Sequence, residues 1–197
     1  FLDGYRQYDR GEIRMFFKGS VTILEDIHGM SEEDWFLQTF VDGQESESVY
    51  LDFLTEKMAK VSGLFSMVLK IKNSYVITGD MIRSYPVFYG FKGKNIFITD
   101  NLFKFQEEFG RFFFDNDNLE QFIASGFVYG NGTVYQDVFG LQAGEIIHIQ
   151  EEKVSSCRYF EFRHSDNSFA FENIHEFAKI LDKILVLAFA RTIAQTP

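Results

Sequence analysis

Cysteine is almost missing from this chain. Cys157 is the only one in 197 residues, so no internal disulfide can form. No Cys/His group has the spacing of a zinc site, and the sequence suits a reducing compartment. Proline is nearly as scarce, at two, and no internal repeat or low-complexity linker interrupts the chain. Long apolar runs are lacking too. Every hydrophobic stretch is broken well short of the roughly 20 residues that a membrane-spanning helix needs, and the opening FLDGYRQYDRGE carries no apolar signal core. The expected location is the cytoplasm. Basic charge is also short: 19 Lys and Arg stand against 29 Asp and Glu, giving a formal net charge of -10. Such a surplus repels phosphate backbones and anionic lipid on average, so neither nucleic acid nor a membrane is an expected partner.

What the chain has in excess is phenylalanine, 25 in all. Flat, bulky side chains fill the layer between two packed sheets, which favours an α+β core over a helix-only fold. Gly11 to Leu24 reads as two short strands or one bulged strand around Lys18-Gly19. Ser31 followed by Glu32, Glu33 and Asp34 is an N-cap with an acidic first turn, predicting a helix up to Asp42-Gly43. A second helix is expected from Glu47 to Val61, because Tyr50, Leu51, Leu54, Met58 and Val61 recur at spacings of three and four. Between Gly63 and Gly93, three β-rich runs (GLFSMVLKI, SYVITGD, YPVFYGF) predict an antiparallel meander, and Asn95–Thr99 adds a hairpin partner across Gly93-Lys94. Short helices are expected at Leu102–Phe109 and Asn116–Ser125, the latter closed by Gly126. EIIHIQ and RYFEFRH read as late extended segments, and Asn173 to Ala194 as a long amphipathic helix. A compositional boundary near Glu161 to Ser168 divides residues 1–162 from 163–197.

The runs VSGLFSMVL (61–69), TGDMIRSYPVFY (78–89) and NIFITD (95–100), with NLEQFIASGFVYGNGTVYQDVFGLQAGE (118–145), resemble in order and character the N-terminal domain of glutamine-dependent asparagine synthetases. Gly63, Phe65, Asp80, Pro86, Tyr89, Gly126, Thr133, Leu141 and Gly144 fall on matching places, and Tyr159 to Phe162 resembles the segment that precedes the family's synthetase domain. The resemblance covers about half the chain and rests on turn glycines, core aromatics and one proline. It implies a class II glutamine amidotransferase-like domain with the N-terminal-nucleophile hydrolase fold, in which two antiparallel sheets stack between helix layers.

Glutaminases of that family attack the glutamine amide with the thiol of an N-terminal cysteine whose own α-amine is the base. This sequence opens on Phe1. The same alignment puts Lys18, Gly19 and Ser20 on the family's Asn-Gly-Glu, so a lysine stands where an amide would help hold the oxyanion. It puts Glu45-Ser46-Glu47-Ser48 on the loop that holds the amine of glutamine, with Ser46 in place of the aspartate. Lys18, Gly19 and Ser46 are therefore the substrate-binding positions that the resemblance implies, and no residue is assigned a catalytic role. Cys157, beside Arg158, reads as an inert strand or loop thiol; His28, His148, His164 and His175 read as structural, with His148 on the outer side of a strand and no metal site among them. Asp80, Arg83 and Pro86 read as a structural turn, with an Asp80–Arg83 ion pair bracing it. No cofactor is expected in this chain. ATP and Mg2+ belong to the C-terminal ATP-pyrophosphatase-type domain that the resemblance implies as a partner, alongside glutamine or an ammonia-accepting substrate and a second copy of the chain.

The first expectation is thus a scaffold that has lost its amidase and supports an ATP-dependent, amide-forming domain. Two alternatives stay open: an active amidotransferase whose cysteine lies upstream, and a non-catalytic ligand- or partner-binding module. The acceptor, aspartate or a sugar acid, is not specified by the sequence.

Overall fold

The computed structural model describes residues 2–40, 47–93, 95–163 and 173–195. The chain divides into two units, Phe1–Glu161 and Phe162–Pro197.

Two antiparallel sheets dominate the first unit. β1 (Arg6–Arg10), β2 (Ile13–Ile23), β3 (Val61–Ile71) and β4 (Ser74–Gly79) are followed in the chain by β5 (Phe88–Lys92), β6 (Asn95–Thr99), β7 (Val138–Gly140), β8 (Glu145–Gln150) and β9 (Lys153–Arg158). The larger sheet has the order β1-β2-β3-β4-β8-β9 and the smaller one β6-β5-β7. Period-two alternation sends each strand's side chains to opposite faces, and the two faces of the larger sheet have different coverings. Met15, Phe17, Phe65, Met67, Leu69, Val76 and Ile146 pack under α1 (Glu32–Thr39) and α2 (Glu47–Met58), which contribute Trp35, Phe36, Leu37, Tyr50, Leu54 and Met58. On the other face, Val68, Ile77, Ile147 and Ile149 meet Val87, Tyr89 and Phe139 of the smaller sheet. α3 (Leu102–Phe109) then covers the outside of the smaller sheet, where Phe97 and Phe105 stack at 4.5 Å between centroids. The layers run helix, sheet, sheet, helix, as expected for the N-terminal-nucleophile hydrolase sandwich. Phenylalanine fills both sides of the larger sheet.

Local chemistry explains most element ends. The Ser31 side chain accepts from the Asp34 N–H at the start of α1, Asn101 does the same for Lys104 in α3, and Asp115 for Asn118 in α4 (Asn116–Ser125), which Gly126 closes in the left-handed conformation.

Three expectations are corrected. β2 is neither split nor bulged: it pairs continuously with β3 from Ile13↔Ile71 to Ile23↔Val61. Gly19 interrupts the sequence pattern because its neighbour strand comes too close for a side chain. A Cβ there would lie 2.0 Å from the Leu64 carbonyl oxygen, and the reciprocal Gly63 would meet the Ser20 oxygen at 2.3 Å. Second, the β3, β4 and β5 runs are not one meander. β3 and β4 pair, but β5 leaves for the smaller sheet and pairs with β6 and β7. The residues between Gly79 and Val87 are a crossover between sheets, not a hairpin. Third, the last strand is Lys153–Arg158, paired with β8, and it ends before Tyr159 to Phe162. The Tyr159 side chain is used instead to tie the end of β4, its hydroxyl donating to the Gly79 carbonyl at 2.6 Å.

In the second unit, α5 (Ile174–Gln195) is a helix of 22 residues. No described helix is long and apolar enough to cross a membrane.

Candidate functional site

Lys18 lies on β2 opposite Ser66 of β3, and alternation from Phe16 puts it on the face that looks toward the smaller sheet. Its ammonium, on a side chain 30% exposed, is engaged by neighbours from three segments, the stretch before β1, the crossover after β4 and the end of β6. Nζ donates to the Asp3 carbonyl oxygen at 2.8 Å and to Asp100 Oδ2 at 3.3 Å. It also sits 5.2 Å from the Tyr5 ring centroid and 5.8 Å from that of Tyr85. Asp100 directly follows β6, so this contact bridges the two sheets, and Asp100 Oδ1 accepts from the Asp3 backbone N–H at 3.0 Å. Lys104 holds Asp3 from the other side, Nζ to Oδ2 at 2.7 Å, and so keeps that carboxyl below its ordinary pKa. Below the ammonium, the Tyr5 hydroxyl shares a short hydrogen bond with Ser66 Oγ, and burial raises the phenol to about 12.

Gly19 contributes backbone, not a ligand-facing surface: its carbonyl oxygen accepts from Arg6 Nη2 at 2.9 Å, and its α-carbon is pressed against β3 and the Tyr85 ring. Ser46 lies outside the described residues, as do Glu45 and His164. Of the three substrate-binding positions implied by resemblance, Lys18 and Gly19 are thus adjacent to one cluster. That cluster's other members, Asp3, Tyr5, Ser66, Tyr85, Asp100 and Lys104, were not singled out by the sequence. They are separated by up to 101 positions, and only Ser66, Tyr85 and Asp100 fall within the runs that carry the resemblance.

The crossover after β4 is organised by Asp80, which is 1% exposed. Its Oδ2 accepts from the N–H groups of Phe65 (3.0 Å) and Ser84 (3.1 Å), and Oδ1 from those of Ile82 (2.9 Å) and Ser84 (3.3 Å). Its own carbonyl accepts from Gly144 and Arg83, and its own N–H donates to Phe65 O. One carboxylate therefore fixes the end of β4, the start of the crossover and β3 together. The expected ion pair with Arg83 is not what braces this turn. The Arg83 guanidinium lies over the Phe88 ring at 5.9 Å and close to Gly140, where burial lowers its pKa and the charge of Glu145 partly opposes that. Arg83 itself has a left-handed backbone, φ 59°. Pro86 is exposed at the end of the crossover, ahead of β5.

Cys157 is in register with Ile146, and through β8, β4 and β3 with Phe17. It therefore shares the helix-covered face, opposite to that of Lys18, and stands four strands along the sheet from β2, about 19 Å at ~4.8 Å per strand. Thr55 Oγ1 lies 3.2 Å from its sulfur, and burial raises the thiol's pKa despite neighbouring Arg158. His148 faces the same helix-covered side but is buried there, edge-on to Tyr50 at 5.5 Å; an exposed position on an outer face is excluded because α2 covers it. His28 is exposed and pairs with Asp26 at 3.3 Å. Among the described residues, no three His, Cys, Asp or Glu side chains come together as metal ligands.

No protein-family model matches this chain, and no curated protein matches it. Among solved structures, it is similar to glutamine phosphoribosylpyrophosphate amidotransferase from B. subtilis, complexed with ADP and GMP, at 10% identity and a TM-score of 0.43 over 77% of this chain and 30% of that one. It is similar too to a structure described as the allosteric regulatory enzyme of purine biosynthesis, at 9% identity and a TM-score of 0.44 over 79% of this chain and 30% of that one. The chain spans less than a third of either protein, and overlap this loose transfers no residue role.

Proposed function

We propose that this chain is a glutaminase-like domain of an asparagine synthetase-like protein that has given up glutamine hydrolysis and serves as scaffold for an ATP-dependent, amide-forming domain. The observation that carries this reading is that the Lys18 ammonium already has partners in Asp3 and Asp100. Oxyanion stabilisation needs donors aimed at open space where a reacting oxygen will sit. At the position that the resemblance gives to such a donor, the chain has a cation already spent on Asp3 and Asp100 and flanked by two tyrosine rings. To receive a glutamine side chain there, the protein would have to break the Lys18–Asp100 contact between its sheets. Cys157 cannot help, being on the opposite face and about 19 Å away.

On this reading, ATP and Mg2+ act in the partner domain, and free ammonia or another amine supplies the nitrogen. The test is ammonia release from L-glutamine by the purified chain, with Cys157→Ala alongside and the intact mass recorded. No release from either protein is the expected result. Release lost in the variant would make Cys157 the nucleophile, release kept in both would require another one, and either result overturns the proposal.

A further inference from the structure

Among the described residues, α4 is a helix that buries none of its side chains. All of its residues are exposed or only partly covered, although Leu119, Phe122 and Ile123 recur at three and four and form one apolar stripe. A helix of ten residues is marginal on propensity alone, since most helical stability comes from burying such a stripe. This one is held by its ends. Asp115 caps the N-terminus, Gly126 closes the C-terminus, Asn118 Nδ2 donates to the Thr133 carbonyl at 2.9 Å, and the Gln121 side chain accepts from the Tyr129 N–H. Leu119 is partly covered, while Phe122 and Ile123 of the stripe stay exposed.

The loops on either side of α4 carry further exposed apolar residues. Phe113 is 80% exposed, Ile123 75% and Tyr129 84%, with Phe114 and Phe127 also above half. Scattered exposed apolar residues are ordinary, but a run of large aromatics on and beside one helix marks an interaction surface. Its charge is one-sided. From Phe112 to Glu152 the sequence has no lysine or arginine, while Asp115, Asp117, Glu120 and Asp137 fall in or beside α4 and its loops. Two cations stand at its edge: Arg111, exposed and next to Phe112 in the chain, and Lys92, which lies over the Phe112 ring at 5.9 Å but gives its ammonium to the Phe109 and Gly110 carbonyls.

From this combination we infer that the α4 face docks a basic amphipathic helix, a partner segment with an apolar ridge rimmed by lysine or arginine. Charge complementarity selects that occupant. A second copy of the same face would bring Asp117 and Glu120 against their own kind, and an anionic lipid surface would be repelled likewise. The inference does not depend on the proposed loss of glutaminase activity.

The test uses a synthetic Leu/Lys amphipathic helical peptide as probe, titrated into the chain by fluorescence anisotropy beside its Leu/Glu counterpart. The expected result is saturable binding of the Leu/Lys peptide alone, weakening with added salt. Phe122→Ser with Ile123→Ser, and Asp117→Lys with Glu120→Lys, should each weaken it by roughly tenfold or more. Glu56→Lys with Glu152→Lys, which changes net charge equally at exposed sites elsewhere, should leave affinity within a factor of about two beyond the general charge effect. These are solvent-exposed positions, and unchanged melting curves verify the fold of each variant. Absence of binding, equal loss in the control variant, equal binding of the Leu/Glu peptide, or preferential binding to phosphatidylcholine vesicles would each overturn the inference.

Discussion

Replacing Asp80 by alanine removes the acceptor for three backbone donors at once, the N–H groups of Phe65, Ile82 and Ser84. Asp80 is almost fully buried, and water reaches these groups poorly. A buried donor left without a partner costs about 1–3 kcal/mol, and partial rescue by water puts the expected total near ~4 kcal/mol, a large share of the roughly 5–15 kcal/mol that stabilises a typical domain. Asp80→Asn refines the prediction. Its amide oxygen can replace Oδ1 at Ile82 and Ser84, but its NH2 then faces the Phe65 N–H, donor against donor, so about 2 kcal/mol should be lost. Arg83→Met, by contrast, keeps the stem packed near Phe88 and should cost below ~1 kcal/mol. The assay is urea denaturation followed by Trp35, the only tryptophan, which α1 buries against the larger sheet and which donates to Glu25 Oε1 at 3.1 Å. Its emission reports the sheet unit alone. The reasoning is refuted if Asp80→Ala costs less than ~1 kcal/mol, or if Arg83→Met costs as much as Asp80→Ala; the second result would restore the ion pair as the brace of the crossover.

Other expectations follow from the same geometry. Gly19→Ala places a methyl carbon 2.0 Å from the Leu64 oxygen at a φ of 101°, and should cost roughly 2–4 kcal/mol in the same urea assay. Tyr5 has its folded pKa raised to about 12 from 10, so the protonated form is favoured by folding: its contribution is fully present below pH 10 and is lost as pH climbs toward 12. Two pKa units correspond to about 2.7 kcal/mol, and Tyr5→Phe should flatten that part of the alkaline stability profile. Cys157, with its thiol pKa raised by burial, should react with a maleimide at neutral pH much more slowly than free cysteine, and urea should remove the difference.

Element existence was largely legible because periodicity and caps are local. Ser31, Asn101 and Asp115 start their helices as their residue types dictate, and the apolar spacing of Tyr50, Leu54 and Met58 matches α2, although Val61, expected on the same stripe, lies past the helix end at Met58 and opens β3. What the sequence hid was non-local. Nothing in GDMIRSYP says that the chain changes sheets there, since a crossover and a hairpin loop can use the same glycine, aspartate and proline. Only the distant donor at Phe65 and acceptance from Gly144 by the Asp80 carbonyl reveal it. Likewise, Lys18-Gly19 reads as a break because small residues usually mark bulges or turns, whereas here the glycine pair Gly19 and Gly63 lets β2 and β3 approach. The candidate site was legible at Lys18 through the resemblance alone. Its neighbours come from the stretch before β1, from β3, the crossover, the end of β6 and α3, and no spacing rule joins Asp3 to Asp100 or Tyr5 to Tyr85.

The central claim is that Lys18 and its partners occupy the position where glutamine would otherwise be held. The most direct measurement is a titration of the 15N-labelled chain with L-glutamine into the millimolar range, following the backbone amides of Tyr5, Lys18, Gly19 and Tyr85. The account predicts no saturable shift at these amides; saturable shifts clustered there would mean that the cluster opens to admit glutamine, and would contradict it.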